Sequence, residues 1–155
     1  MECPFCQSTI LKKESFYEDD FFRAIYNLRP VVKGHCLVIP KRHIEELYQL
    51  KENERKDFIS FSNKAIFIAE KYSETNEFDF LLQKGENAGQ SIKHLHFHII
   101  PRKKNDILKV AKKEFLQTFQ KEENSDKVVS EQEMTKIVSE LKSIAEKHRL
   151  QINEL

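Results

Sequence analysis

The chain has 155 residues, of which 33% are charged and 39% hydrophobic, and its formal net charge is +1. These values are typical of one soluble globular domain, and so small a charge gives no general attraction to nucleic acid or to a membrane surface. No segment approaches the roughly 20 consecutive apolar residues of a membrane-spanning helix, and the first ten residues lack the basic region and apolar run of a secretory signal. We therefore expect a cytoplasmic protein that binds neither nucleic acid nor membranes.

The apolar pattern predicts four strands and two helices. Short segments rich in aromatic or branched residues predict strands at 21–27, 35–39, 78–83 and 94–100. Apolar residues recur at spacings of three and four from residue 52 to about 73, which predicts a long helix. A Ser-x-x-Glu capping box at 130–133 predicts a second helix from about 131 to 147. This order of elements indicates an α+β fold.

Three histidines alternate with apolar residues in the last predicted strand: His94, His96 and His98. Because successive side chains of a strand point to opposite faces, we expect the three imidazoles on one face and the apolar side chains in the core. Exposed polar positions are one interpretation, although such faces normally carry Thr, Lys and Glu. The other two are a metal site and nucleophilic catalysis, in which one histidine attacks and a neighbour tunes it.

The loop at 84–91, directly before this strand, favours phosphate chemistry. Gly89, Gln90 and Ser91 offer backbone N–H groups, unobstructed by a Cβ at Gly89, together with amide and hydroxyl donors. Loops of this kind cradle phosphate oxygens.

Residues 90–100, with the sequence QSIKHLHFHII, resemble the signature of the histidine triad family, in which three histidines alternate with apolar residues. Residues 83–89 and 27–41 fit the pattern of the same family. The resemblance covers about residues 3–105, so we divide the chain into a histidine triad domain at 1–105 and a charged extension at 106–155. The terminal helix of the extension is expected to pack on the same domain.

The resemblance implies a compact α+β protomer with an antiparallel sheet of about five strands and a long helix. Protomers of the family usually pair into homodimers through the long helix and a sheet edge. It also implies an enzyme that hydrolyses or transfers nucleotides at the α-phosphate of adenylated compounds, such as dinucleoside polyphosphates.

Residue roles follow from the same resemblance. His96 would be the nucleophile, which becomes nucleotidylated and is then freed by water. His98 and His35 would contact the phosphate and stabilise its developing charge. Gln83 and Ser91 would donate hydrogen bonds to phosphoryl or bridging oxygens.

Further positions would hold the rest of the nucleotide. Asn27 matches the position that binds a ribose hydroxyl, where many relatives carry Asp. Gly89 and Gln90 belong to the nucleotide-binding loop. Phe5 and Ile25 are either walls of a base pocket or ordinary core residues.

The N-terminal Cys-x-x-Cys pair, Cys3 and Cys6, allows three interpretations: a redox pair, half of a zinc site, or two packed residues. Redox pairs of this kind usually lie near a βαβ pattern, whereas this pair lies at the extreme N-terminus. The zinc-bearing branch of the family would complete the ligand set with His43 and His94. Four protein ligands would make the zinc structural. Cys36 has no partner in this arrangement and is expected to be a buried strand residue.

Gln83 and the Pro101-Arg102 pair favour the dinucleoside polyphosphate hydrolases of the family over its nucleoside phosphoramidases. Two other functional classes remain open. A hydrolase with zinc on all three triad histidines would need a carboxylate near them, and none adjoins them in the sequence. A non-catalytic nucleotide-binding or adaptor protein is disfavoured by the intact His96 and Gln83.

Overall fold

The structure is a computed structural model that describes residues 3–104, 106 and 128–155. Of the predicted extension, residues 107–127 lie outside the described part of the chain. None of the helices in the described part combines the length and the apolar composition needed to cross a bilayer.

Five antiparallel strands form one sheet in the order β1-β2-β3-β5-β4. The strands are β1 Ser15–Glu18, β2 Phe22–Tyr26, β3 Cys36–Pro40, β4 Phe78–Leu81 and β5 Phe97–Pro101. The α+β class and the five-stranded antiparallel sheet are thereby confirmed. The apolar pattern did not predict β1, which lies at one edge of the sheet.

The histidine strand is shorter than the predicted 94–100. It begins at Phe97, where the pairing with β3 ends at Val38, although β3 itself continues to Pro40. The backbone N–H of Leu95 donates instead to the carbonyl of Ile44 at 2.6 Å. His94 and His96 therefore lie in the lead-in to β5, which bends at residues 92–94 and is held by a different segment of the chain.

In the described part of the chain, four helices accompany the sheet: α1 Ser8–Glu14, α2 Glu52–Ser73, α3 Glu131–Lys147 and α4 Arg149–Asn153. Both predicted helices, α2 and α3, occur with the predicted bounds. Ser130 caps α3 as predicted, because its hydroxyl accepts the backbone N–H of Glu133 at 3.2 Å, which is one of the two bonds of a capping box. This contact satisfies one of the free N–H groups of the first helical turn.

The sheet is buried on both faces by different parts of the chain. On one face, a large apolar cluster joins Val38 and Ile99 of the sheet to Ile68 of α2 and Leu141 of α3. On the other face, a smaller cluster joins Ile25, Leu37 and Ile39 to Phe5 and Leu11 of the N-terminal segment. The first cluster supplies most of the core, and the second lies beside the histidines.

The contribution of α3 to the core can be measured on Leu141, whose side chain is 0% exposed. We expect Leu141→Ala to lower the free energy of unfolding by about 2–5 kcal/mol, because it leaves a cavity among well-packed side chains. Urea denaturation gives the difference. Leu150→Ala is the control, because Leu150 is 82% exposed and its truncation should change stability by no more than about 0.5 kcal/mol. Equal effects of the two variants would contradict this role of α3.

Candidate active site

The pairing of three strands places the candidate site on the smaller-cluster face of the sheet. Ile25 of β2 lies opposite Leu37 of β3, and Leu37 lies opposite His98 of β5. The three residues form a row across the sheet, because directly paired residues point to the same face. This row places an imidazole at one end of an apolar surface.

A cavity lies over this row. It is bounded by the N-terminal segment, the end of β2, the loop at 84–91 (the glycine loop) and two of the triad histidines. Its lining residues are Pro4, Phe5, Glu14, Ile25, Asn27, Leu28, Arg29, Leu37, Gly89, Ser91, Ile92, His96 and His98. One side of the cavity is therefore apolar, and the other carries imidazoles and a hydroxyl.

The tautomer of His96 is fixed by a backbone carbonyl. Its Nδ1 lies 2.7 Å from the carbonyl oxygen of His94. Since a carbonyl oxygen only accepts, Nδ1 carries the proton and the lone pair lies on Nε2. Burial lowers the pKa of His96, although the hydrogen bond to His94 opposes part of that effect. The ring is therefore neutral at physiological pH, as a nucleophile requires.

His98 is held by a second, fully buried histidine. Nε2 of His35 lies 2.9 Å from Nδ1 of His98, and the backbone N–H of Val31 donates to Nδ1 of His35 at 3.3 Å. Nδ1 of His35 is therefore an acceptor and its Nε2–H donates to Nδ1 of His98, which leaves the proton of His98 on Nε2. Burial and the neighbouring imidazoles lower the pKa of His98 to about 2 and that of His35 to about 3. Both rings are therefore neutral.

Asn27 contacts this histidine pair from the end of β2. Its Oδ1 accepts the backbone N–H of Arg29 at 2.9 Å, so its amide nitrogen faces His35, with Nδ2 3.3 Å from the acceptor Nδ1 of that ring. Asn27 also lines the cavity. A ligand that extends from the histidines to the apolar wall of the cavity would therefore pass Asn27.

The glycine loop differs from its predicted role. The backbone N–H groups of Gly89 and Gln90 donate to Glu86 and Gly85 within the loop, at 2.9 and 3.1 Å. The expectation that they are presented to a phosphate is wrong, because a 3₁₀ turn at Glu86–Ala88 consumes them. Ser91 lines the cavity and retains its hydroxyl for a ligand.

The side chain of Gln90 braces this loop. It accepts the N–H of Gly85 at 2.9 Å and donates to the carbonyl of Ile92 at 3.1 Å. Gly89 has a φ of +90°, and a Cβ there would lie 3.2 Å from the amide nitrogen of Gln83. A side chain at Gly89 would thus strain the backbone and crowd Gln83.

Cys3, Cys6, His43 and His94 bring their donor atoms within 4.8 Å of one another. Nδ1 of His94 lies 3.5 Å from the sulfur of Cys3 and 3.6 Å from that of Cys6, and Nδ1 of His43 lies 3.3 Å from Cys6. In a tetrahedral zinc site, sulfur and nitrogen ligands are separated by roughly 3.6 Å, given bond lengths of about 2.3 and 2.0–2.1 Å. The four residues therefore fit a zinc ion.

The surroundings of the two histidines support this fit. Nε2 of His94 donates to the carbonyl of Pro40 at 3.0 Å, which leaves the Nδ1 lone pair facing the cysteines. Nε2 of His43 faces Glu45, with 3.9 Å between the nitrogen and a carboxylate oxygen. Such outer contacts orient histidine ligands in metal sites.

The triad histidines do not share a metal site. Within the described ranges, no other set of three or more histidine, cysteine or acidic side chains brings its donor atoms together. His94 directs its lone pair at the cysteines, whereas Nδ1 of His96 is bonded to a backbone carbonyl. Zinc on all three triad histidines therefore finds no support in the geometry.

Comparison with known proteins agrees with this geometry. The model of the HIT domain family matches residues 9–105. A bis(5'-adenosyl)-triphosphatase from Dictyostelium discoideum is 33% identical over 150 residues, which cover 90% of this chain and 91% of that protein. The chain belongs to the histidine triad family.

Two further relatives support the assignment. An asymmetrical bis(5'-nucleosyl)-tetraphosphatase from Schizosaccharomyces pombe is 38% identical over 92 residues, which cover 59% of this chain and 50% of that protein. Among solved structures, the Plasmodium falciparum diadenosine triphosphate hydrolase in complex with cyclomarin A has a TM-score of 0.71 at 25% identity, and the match covers 88% of this chain and 78% of that one. The resemblance seen in the sequence is confirmed.

The residues expected from the histidine triad pattern separate into two layers. Phe5, Ile25, Asn27, Ser91 and the His96–His98 pair line the cavity. His35 and Gln83 are buried behind it, so His35 acts on His98 and does not reach a ligand directly. Cys36, expected to be a buried strand residue, is fully buried.

The structure also shows where Arg102 lies and which cavity residues the sequence analysis missed. Arg102, which follows the triad, does not line the cavity but forms ion pairs with Asp79 and Asp106. Glu14, Leu28, Arg29 and Leu37 line the cavity, although sequence reasoning did not single them out. Of these four, only Leu37 could have been predicted to line the cavity, because pairing of the predicted strands places it beside Ile25 and His98.

Proposed function

We propose that this protein hydrolyses dinucleoside polyphosphates or related adenylated compounds at the α-phosphate, through a nucleotidyl intermediate on His96. The observation that carries the proposal is the fixed tautomer of His96. Its Nδ1–H is bonded to the carbonyl of His94, so the lone pair of Nε2 is available on a side chain that lines the cavity. The relatives named above, which carry triphosphatase and tetraphosphatase names, supply the substrate class.

The reaction takes place in two displacements on phosphorus. In the first, the Nε2 lone pair forms a bond to the α-phosphorus, the bond to the bridging oxygen breaks, and the leaving nucleoside phosphate keeps that electron pair. In the second, a water oxygen bonds to the phosphorus, the N–P bond returns its electrons to Nε2, and the water loses a proton. A nucleoside monophosphate is released and His96 is regenerated.

The neighbouring groups stabilise charge on the phosphate. His98 carries its proton on Nε2 and lines the cavity beside His96, with 5.1 Å between the ring centroids. A neutral N–H donor held in place by His35 suits an oxygen that gains negative charge. The Ser91 hydroxyl lies on the same cavity and serves the phosphate chain. The side chain of Gln83 lies close to Gly89 beneath the glycine loop. It would act on the phosphate by supporting this loop.

We further propose a structural zinc ion on Cys3, Cys6, His43 and His94. The spacing of the four donor atoms and the Pro40 contact of His94 support it. Zinc would supply no step of the reaction, because protein ligands fill all four positions. It would fix the N-terminal segment, including Phe5, against the lead-in to the histidine strand.

A homodimer formed through α2 and the β4 edge is also proposed. β4 lies at an edge of the sheet, and its Phe78 is an exposed aromatic side chain. On α2, Ile59 is 61% exposed. Exposed apolar side chains near a strand edge that pairs with no other described strand are typical of a surface that a second copy covers.

For the catalytic role, we expect His96→Ala to lower the turnover of diadenosine triphosphate by at least about 10³-fold, because it removes the nucleophile. AMP binding measured by calorimetry should persist. After a rapid quench in alkaline denaturant, mass spectrometry should find one nucleoside monophosphate on the wild type and none on the variant. His148→Ala, a histidine change outside the cavity, is the control. Near-normal turnover by His96→Ala would refute the covalent mechanism.

For the metal, protein purified without chelator should contain about one zinc ion per chain, as expected for one four-ligand site. Cys3→Ser and Cys6→Ser should each lose most of this zinc and lower the melting temperature, because metal binding contributes to folding. Cys36→Ala removes a sulfur that is not one of the four proposed zinc ligands, so this variant should keep its zinc. A metal-free wild type whose melting temperature does not respond to added zinc would contradict the proposal.

For the assembly, light scattering coupled to size exclusion should report twice the chain mass at micromolar concentration. Ile59→Asp should shift the protein toward the monomer, because it puts a charge into the proposed interface. Leu150→Asp changes a leucine on α4 that is 82% exposed, outside the proposed interface, and should remain dimeric. A wild type with the mass of one chain would rule out the dimer.

A further inference from the structure

Glu14, the last residue of α1, is a carboxylic acid in the apolar part of the cavity. Its side chain lines the cavity together with Phe5, Ile25 and Leu37, and the residue is only 8% exposed. Acidic residues are rarely buried to this extent unless they are paired.

No partner accounts for this burial in the described part of the chain, where Glu14 forms neither a hydrogen bond nor an ion pair. Burial alone raises the pKa of Glu14 to about 7. In the described part of the chain, the carboxyl oxygens of Glu14 are not among the fully enclosed side-chain atoms that lack a partner, so they remain accessible from the cavity that the residue lines. Such a group on the wall of a ligand cavity finds its partner when the ligand binds.

The sheet places Glu14 far from the histidines. Glu14 directly precedes Ser15 of β1, which pairs with Ile25 of β2. The row then continues through Leu37 to His98 on β5, so three strand spacings, or roughly 14 Å, separate β1 from β5. A nucleotide with its α-phosphate at His96 would extend along this row, and its base would lie among Phe5, Ile25 and Leu37.

The chemistry of a carboxyl group limits what Glu14 can recognise. In either protonation state it presents an oxygen that accepts a hydrogen bond. The exocyclic amino group at N6 of adenine is a donor on the edge of the base, whereas a purine without that group has no donor at this position. The rest of the wall is apolar and can discriminate between bases only by their shape.

We propose that Glu14 is a specificity-determining residue that accepts a hydrogen bond from the exocyclic amino group of the substrate base, so that the cavity prefers adenine to a purine lacking that group. The proposal rests on the function proposed above, because it requires a nucleotide with its phosphate at His96. In this arrangement the apolar wall stacks against the base and contacts it, whereas Glu14 determines which base is preferred.

Calorimetry with two nucleotides tests the assignment. AMP and purine riboside 5'-monophosphate differ only in the amino group, and neither contains an anhydride to hydrolyse. The wild type should bind AMP about 5- to 20-fold more tightly, the range expected for one hydrogen bond to a buried group. Glu14→Leu should abolish this preference while its affinity for purine riboside 5'-monophosphate stays near that of the wild type.

Glu14→Gln is the matched variant, because the amide keeps the size of the side chain and an oxygen acceptor. It should retain the preference for AMP, and loss of the preference in this variant would overturn the acceptor role. A preference that persists in Glu14→Leu, or equal weakening of both nucleotides, would show that Glu14 is only part of the wall. Thermal denaturation of both variants establishes that they are folded.

The outcomes separate this inference from the proposed function. If the wild type hydrolyses diadenosine triphosphate and binds both nucleotides, but Glu14→Leu does not alter the preference, only the role of Glu14 fails. If the wild type binds neither nucleotide and does not hydrolyse diadenosine triphosphate, both proposals fail.

Discussion

The contacts of His94 connect three parts of the molecule around the candidate site. Its Nε2–H is bonded to the carbonyl of Pro40 at the end of β3, and its Nδ1 faces Cys3 and Cys6. Its own carbonyl accepts the proton of His96 Nδ1. The position of one backbone carbonyl therefore sets the tautomer of the nucleophile, and the ring of the same residue ties that carbonyl to the N-terminal segment. In the proposed scheme, a structural zinc acts on catalysis only by keeping this residue in place.

The antiparallel pairing of β2, β3 and β5 determines what lies beside the nucleophile. The register sets Ile25, Leu37 and His98 in one row, so an apolar surface runs directly into a polar one. His35, one residue before β3, meets His98 from behind the cavity. A slip of one residue in the β3–β5 pairing would turn His98 toward the opposite face, where α2 packs. The sheet thus serves both as the core and as the frame of the site.

The C-terminal helix completes this frame from the other side. Leu141 and Met134 of α3 lie in the same apolar cluster as the sheet and α2, although the family model ends at residue 105. The α2 face of the sheet therefore depends on a segment outside the matched region. The opposite face is covered by the short N-terminal segment and by the loop that ends at Ile92, and the cavity lies between them.

Local patterns in the sequence determined the fold class, the bounds of α2 and α3, and the identity of the key side chains. Periodicity and a capping box depend only on residues close in the chain. The triad and the Cys-x-x-Cys pair are short motifs whose family resemblance pointed to His96 and to the four candidate metal ligands. The start of β5, the inward-turned N–H groups of Gly89 and Gln90, and the burial of His35 behind His98 were decided by tertiary structure. So was the position of Glu14, which no motif marks and which enters the cavity because β1 pairs with β2. Each of these features depends on hydrogen bonds or packing between segments distant in sequence, and local propensity carries no information about such partners.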